Sequence, residues 1–290
     1  MKGNDMLLKG WVYRVGLFLL FLAIGLLIFV AFSHFRPMLP PKTDPIARTG
    51  MVVVLLASAL LARRSKRLEK YWQVLFAFFI ASLAISLDLY LPLSRWVLRL
   101  LNRDLNTPLG LAVDKLESSV TIIVAIIVLN RISGGSMASI YLKKGNIRKG
   151  LTIGLGTFVV VAAASFPLSE WLFGGRDLRL ERVLPWIPWI LLFVLGNAFN
   201  EELLFRGLFL RKLEPFFGRF CANLLIAIPF TLHHTGVEYT PEVLMFLAFT
   251  FPLALAWGYV MQNTDSLWGS VLFHAGMDIP LVLGIFSTRF

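Results

Sequence analysis

The chain has 290 residues, of which 57% are hydrophobic and 16% charged, and its mean hydropathy is +0.74. A soluble domain carries about a quarter charged residues and cannot hide this many apolar runs, so an ordinary cytoplasmic enzyme, a disordered chain and a collagen-like repeat are excluded. The lone cysteine, Cys221, excludes an intrachain disulfide scaffold, and the formal charge of +11 takes its meaning from the side of a membrane on which it falls.

The expected fold class is all-α, a polytopic transmembrane helical bundle of about 8–9 spans. In chain order the apolar segments cover residues 11–32, 46–62, 71–93, 111–129, 151–172, 183–205, 220–235, 242–261 and 266–285. The first is too long and too aromatic for a cleaved signal peptide and is read as retained. The second is the weakest, with Arg48 expected to snorkel toward the headgroups, and a count without one span is the alternative. Residues 33–45 contain Pro37, Pro40, Pro41 and Pro45 and are expected to be extended rather than helical. Residues 95–103 alternate Arg with Trp, Val and Leu, which predicts a short amphipathic helix in the membrane interface.

With the N-terminus inside, 17 of the 28 basic residues fall on the cytoplasmic side, from Lys2 through Arg63 and Arg131 to Arg206 and Arg219. The outer side is nearly neutral. The net charge is therefore a positive-inside signal and not a nucleic-acid footprint. A multi-pass protein of the cell membrane is expected, N-terminus cytoplasmic and C-terminus outside, with no nucleic-acid partner. Residues 1–150 carry no motif and are read as membrane scaffold helices. Residues 151–290 are read as a catalytic membrane core.

Polar groups are expensive in hydrocarbon, so those inside spans are informative. Three clusters follow residue 195. Glu201 and Glu202 are adjacent, and Glu202 lies four residues before Arg206, so these two can pair on one helical face. Glu201 lies about 100° round the helix and stays free to accept a proton. Phe230 and His234 share a face at the same spacing, as do His274 and Asp278 in the last span. Carboxylate plus imidazole can activate water as a general base, and a second imidazole with a donor-bearing partner can steady an oxyanion. The same groups could hold zinc, although no HExxH occurs. A proton-coupled transporter using them as a relay and a non-catalytic membrane scaffold are the alternatives to a hydrolase.

At these clusters the chain resembles the CAAX protease and bacteriocin-processing family of intramembrane proteases. Glu201, Glu202 and Arg206 match its EExxxR motif, Phe230 and His234 match FxxxH, and His274 and Asp278 match HxxxN or HxxxD. The likeness covers about residues 194–280. It implies an endopeptidase acting on a membrane-embedded or membrane-anchored protein or peptide, in a cavity open to the cytoplasmic side. Glu201 would be the water-activating base assisted by His234, and His274 with Asp278 would bind the oxyanion. Glu202, Arg206 and Phe230 would be structural support. The resemblance favours a metal-free glutamate mechanism with no cofactor; the zinc alternative would use Glu201, His234, His274 and Asp278. An ionised Asp278 has no proton to donate to an oxyanion, so it is either protonated in a dry site or orients His274.

Overall fold

The computed structural model describes residues 2–33, 35, 38–91 and 93–290, and within them the chain is helical with no strand. His34 and Pro37 lie outside the described residues. The helices are α1 (Lys2–Leu26), α2 (Asp44–Arg64), α3 (Trp72–Tyr90), α4 (Leu93–Leu100), α5 (Pro108–Ile132) and α6 (Ile147–Ala163). They are followed by α7 (Ser165–Phe173), α8 (Leu180–Val183), α9 (Ile187–Glu201), α10 (Leu210–His233), α11 (Val243–Thr264) and α12 (Trp268–Arg289). Two π-helical turns interrupt this series, Leu27–Ala31 after α1 and Glu202–Gly207 after α9. The chain is a multi-pass membrane protein of all-α class.

Among the described residues seven stretches are long and apolar enough to cross a membrane, and α6 with α7 makes an eighth if this pair, bent by 73°, is one broken span. The segment expected at 111–129 forms a full helix in α5, yet it is not among them. Asp114, Lys115, Glu117 and Arg131 interrupt its apolar run. This helix packs between α3 and α9, with Asp114, Lys115 and Glu117 partly buried and Arg131 exposed. The amphipathic segment expected at 95–103 forms α4.

Two expectations need correction. Pro45 does not extend the preceding loop; it opens α2 at its first turn, where its missing N–H costs nothing. Arg48 does not snorkel. Its Nε donates to Asp44 Oδ2 at 2.7 Å, its guanidinium lies 5.3 Å from the Phe32 ring centroid, and the residue is 2% exposed.

Helix starts follow local chemistry. The N–H of Gly110 donates to Thr107 Oγ1 at the head of α5, and that of Lys149 donates to Asn146 Oδ1 at the head of α6. The centre of the second half is α12, which packs on α6, α7, α9 and α11. Its glycines make this possible. A Cβ on Gly269 would sit 2.7 Å from Gly150 Cα, and one on Gly276 would sit 2.6 Å from Phe158 Cα. Without side chains there, the backbones of α6 and α12 approach closely, as small residues allow between membrane helices.

A polar clasp holds the start of α12 in place. Asp265 pairs with both Lys143 and Arg211, and the N–H of Leu267 donates to Tyr141 O at 3.1 Å. Tyr141 itself donates to Glu214 Oε1 at 3.2 Å, and burial together with the Glu214 charge holds its phenol above the usual range.

Candidate active site

The first two carboxylates come from the junction of α9 and its π-turn. An α-helix would continue i→i−4 bonding through Glu202; here Leu208 N instead donates to Leu203 O at 2.9 Å, five residues back. Such single π-turns recur at functional sites because they rotate successive side chains away from regular helical positions. Phe205, within the turn, packs on Phe29 of the other π-turn, with ring centroids 4.4 Å apart. It also meets Phe230 edge-on at 4.9 Å. Thus α1 and α10 both brace the segment that carries Glu202.

Glu202 is saturated. Its Oε1 accepts from Arg206 Nη1 at 2.7 Å and from His274 Nδ1 at 2.8 Å, and its Oε2 accepts from Ser270 Oγ. The side chains of Glu202 and Arg206 are both 0% exposed. Arg206, assigned from sequence to the cytoplasmic charge, is instead enclosed; its Nε and Nη2 reach Ala254 O at 3.4 and 3.3 Å. Its guanidinium lies 4.3 Å from the Phe230 ring centroid and 5.2 Å from that of Trp257. A buried charge needs this kind of surrounding, because an unpaired one costs several kcal/mol (about 3–5 when one partner of a buried pair is removed).

Glu201 differs from its neighbour. Among the described residues it makes no hydrogen bond, its side chain is 15% exposed, and its Oε2 lies 3.6 Å from His274 Nε2. The same Nε2 lies 3.5 Å from Asp278 Oδ1. His274 therefore stands between three carboxylates, tied at Nδ1 to Glu202 and facing Glu201 and Asp278 at Nε2. Trp257 fixes the plane of the imidazole, stacked on it with centroids 3.9 Å apart and 7° between the rings.

Phe230 closes the floor, its centroid 6.1 Å from that of His274 and 4.9 Å from that of His234. His234 caps the end of α10, where its Nδ1 donates to Phe230 O at 2.8 Å and leaves the Nε2 lone pair available. The neighbouring His233 turns away toward α1, where its Nδ1 lies 2.6 Å from Phe29 O. Tyr239 enters from the loop after α10. Burial and the charges of Glu201 and Asp278 push its phenol well above the ordinary range, so it stays protonated at neutral pH.

Three residues not assigned from sequence complete the constellation. Asn197 Nδ2 donates to Asp278 Oδ2 at 2.8 Å, across 81 residues of chain. Ser270 and Trp257 are the others. Asn197 is four residues before Glu201 and Ser270 four before His274, so a search for polar partners at helical spacing would have reached both. No spacing signals Trp257. Its indole Nε1, with Asn200 Oδ1 and Thr231 Oγ1, is buried without a hydrogen-bond partner among the described residues.

Residues 183–280 match the family model described as type II CAAX prenyl endopeptidase Rce1-like. This segment is similar to that family. The match spans about a third of the chain and contains all seven residues expected at the site. No curated protein and no solved structure matches the chain. The Rce1-like segment supports a CAAX protease-like membrane enzyme in general, with a protein or peptide substrate. Among the described residues, no three His, Cys, Asp or Glu side chains are grouped to hold a metal ion. As placed here, Glu201, His234, His274 and Asp278 are not grouped as a zinc site.

Proposed function

We propose that the chain is an intramembrane endopeptidase that hydrolyses a peptide bond of a membrane-delivered protein or peptide by a metal-free, glutamate-dependent mechanism. One observation carries the reading: of two adjacent carboxylates, Glu202 is saturated by Arg206, His274 and Ser270, while Glu201 keeps its lone pairs beside an imidazole. A base must be unoccupied and close to the proton it takes.

Glu201 takes a proton from water as the water oxygen adds to the scissile carbonyl carbon. The carbonyl π-electrons move to oxygen, and the resulting oxyanion is met by the Nε2 proton of His274, which acts as an imidazolium with its Nδ1 proton on Glu202. The protonated Glu201 then returns its proton to the departing amine as the C–N bond breaks. His234 assists through its Nε2 lone pair, which can accept the second hydrogen of the attacking water. Asp278 acts by orienting His274; its hydrogen bond from Asn197 suits a charged acceptor rather than a donor.

Residues 1–150 serve as a membrane scaffold and 151–290 as the catalytic core in this reading. The protein sits in the cell membrane with its N-terminus cytoplasmic and its C-terminus outside, an arrangement in which α5 and the α6–α7 pair each cross once besides the seven stretches. Reporter fusions after Arg67, Lys149 and Phe290 check this orientation; the first two are expected inside and the third outside.

The function itself is tested by mass spectrometry of membrane peptides from cells with and without the gene. Gene-dependent cleavage near the end of a membrane span is expected. An unchanged peptide pattern, or proton flux through reconstituted protein that Glu201→Gln abolishes, would replace the protease with a transporter.

A further inference from the structure

The reaction proposed above creates a negative charge in a place already rich in acceptors. His274 has Glu201, Glu202 and Asp278 around it, and all three are carboxylates. An oxyanion forming near Nε2 would meet one N–H and the negative Asp278, Glu201 having just taken the proton of the water. Stabilisation of such an intermediate depends on donors fixed in advance, commonly two or more. The donors of Arg206 are committed to Glu202 and Ala254 O, and the hydrogen on His274 Nδ1 is committed to Glu202.

Asn197 supplies what is missing. It lies one turn before Glu201 on the same helix, is 9% exposed, and places its Nδ2 2.8 Å from Asp278 Oδ2. An amide nitrogen carries two hydrogens. One is used on Asp278, which holds the side chain in a fixed orientation; the second remains. The carboxylate that bonds the amide is the one whose other oxygen lies 3.5 Å from His274 Nε2, so amide and imidazole donors flank the same Asp278. The geometry points to Asn197 as a catalytic residue: its second Nδ2 hydrogen donates to the oxyanion, beside His274 Nε2, in the reaction proposed for this site.

Asp278 is then the anchor of the amide as well as of the imidazole. A carboxylate at 278 and an amide at 197 form one unit, in which the amide donates and the acid accepts. Exchanging the two residues keeps one amide and one acid in the same contact, now with the amide on α12 beside His274. Replacing Asn197 alone leaves either two acids facing each other or an acid with no donor.

This inference rests on the hydrolase reading, and the test separates the two. The substrate is a synthetic peptide spanning the gene-dependent cleavage site found by mass spectrometry, reconstituted with full-length protein in phosphatidylcholine vesicles. Five proteins are compared: wild type, Glu201→Gln, Asn197→Ala, Asn197→Asp, and the exchange Asn197→Asp with Asp278→Asn. Melting temperatures in detergent are recorded for each. Asn197→Ala and Asn197→Asp are expected to lower kcat by about 10²–10³, the usual effect of losing one oxyanion donor, with KM within about threefold of wild type. The exchange is expected to recover kcat to within about tenfold of wild type. If Asn197→Ala fails to fold, the exchange against Asn197→Asp decides. An unchanged kcat in folded Asn197→Ala, or an exchange no better than Asn197→Asp, overturns the role of Asn197 while loss of turnover in Glu201→Gln leaves the hydrolase standing. A wild type that cleaves no peptide, or an active Glu201→Gln, overturns the hydrolase reading and this inference with it.

Discussion

Two regions of this protein bury a carboxylate and an arginine four residues apart, and they put the pair to different uses. At the head of α2, Asp44 accepts from Arg48 at 2.7 Å and from the Tyr90 hydroxyl at 2.5 Å. Among the described residues no hydrogen bond continues that network beyond Tyr90, and the Asp44 side chain remains 13% exposed. In the π-turn after α9, Glu202 and Arg206 form the same i,i+4 pair at the same 2.7 Å, with neither side chain exposed. There the carboxylate continues to His274, and the imidazole continues to Glu201 and Asp278. A buried ion pair by itself only satisfies its own charges. It becomes part of a site when one partner holds a third group that faces an unoccupied base.

The comparison can be broken by mutation, beginning with the largest effect. Arg206→Met leaves Glu202 buried without its cation and should cost about 3–5 kcal/mol of stability, read as a large fall in melting temperature and yield. Arg48→Met should cost much less, because Asp44 keeps Tyr90 and partial access to its surroundings. Equal losses at the two positions would erase the distinction drawn between them.

Ser270→Ala removes one of three donors from Glu202 and should cost roughly 1.5–3 kcal/mol, in line with a hydrogen bond to a charged group. Turnover should fall as well, since Glu202 also holds His274; thermal unfolding and cleavage assays on the same preparation check both. The smallest effect belongs to Tyr90→Phe. Loss of its hydrogen bond to Asp44 should cost about 1 kcal/mol and leave turnover unchanged. A fall in turnover there would connect the α2 pair to the site after all.

What could be read from sequence depended on the range of the interaction. Apolar runs mark most of the helices, because burial in lipid imposes a composition over some twenty residues. The Glu202–Arg206 and His274–Asp278 spacings are legible for a similar reason, since one helical turn brings both members to one face. The pair at Asp44 and Arg48 has the same spacing, but Arg48 at a span's edge also suits a snorkelling side chain, and only the packing of Tyr90 and Phe32 distinguishes the two. The 73° bend between α6 and α7 falls at Ala164, three residues before Pro167, whose ring and missing N–H cannot continue the helix to Ala163 O; the apolar run over 151–172 masked this local signal. The π-turn at Glu202–Gly207 and the contact of Asn197 with Asp278 depend on how separate helices meet. In α5 the apolar average over 111–129 hid three charged positions within four residues near its start, Asp114, Lys115 and Glu117.

The division of labour between Glu201 and Glu202 is the central claim, and one paired measurement tests it most directly. Turnover and thermal unfolding are recorded side by side for wild type, Glu201→Gln and Glu202→Gln in the same vesicles and detergent. Glu201→Gln should lose about 10²–10⁴ in rate with substrate binding and melting temperature retained, because only basicity has been removed. Glu202→Gln should lose melting temperature together with activity, since the charge that Arg206 and His274 require is gone. A Glu201→Gln protein with undiminished turnover, or a Glu202→Gln protein as stable as wild type, would contradict the account.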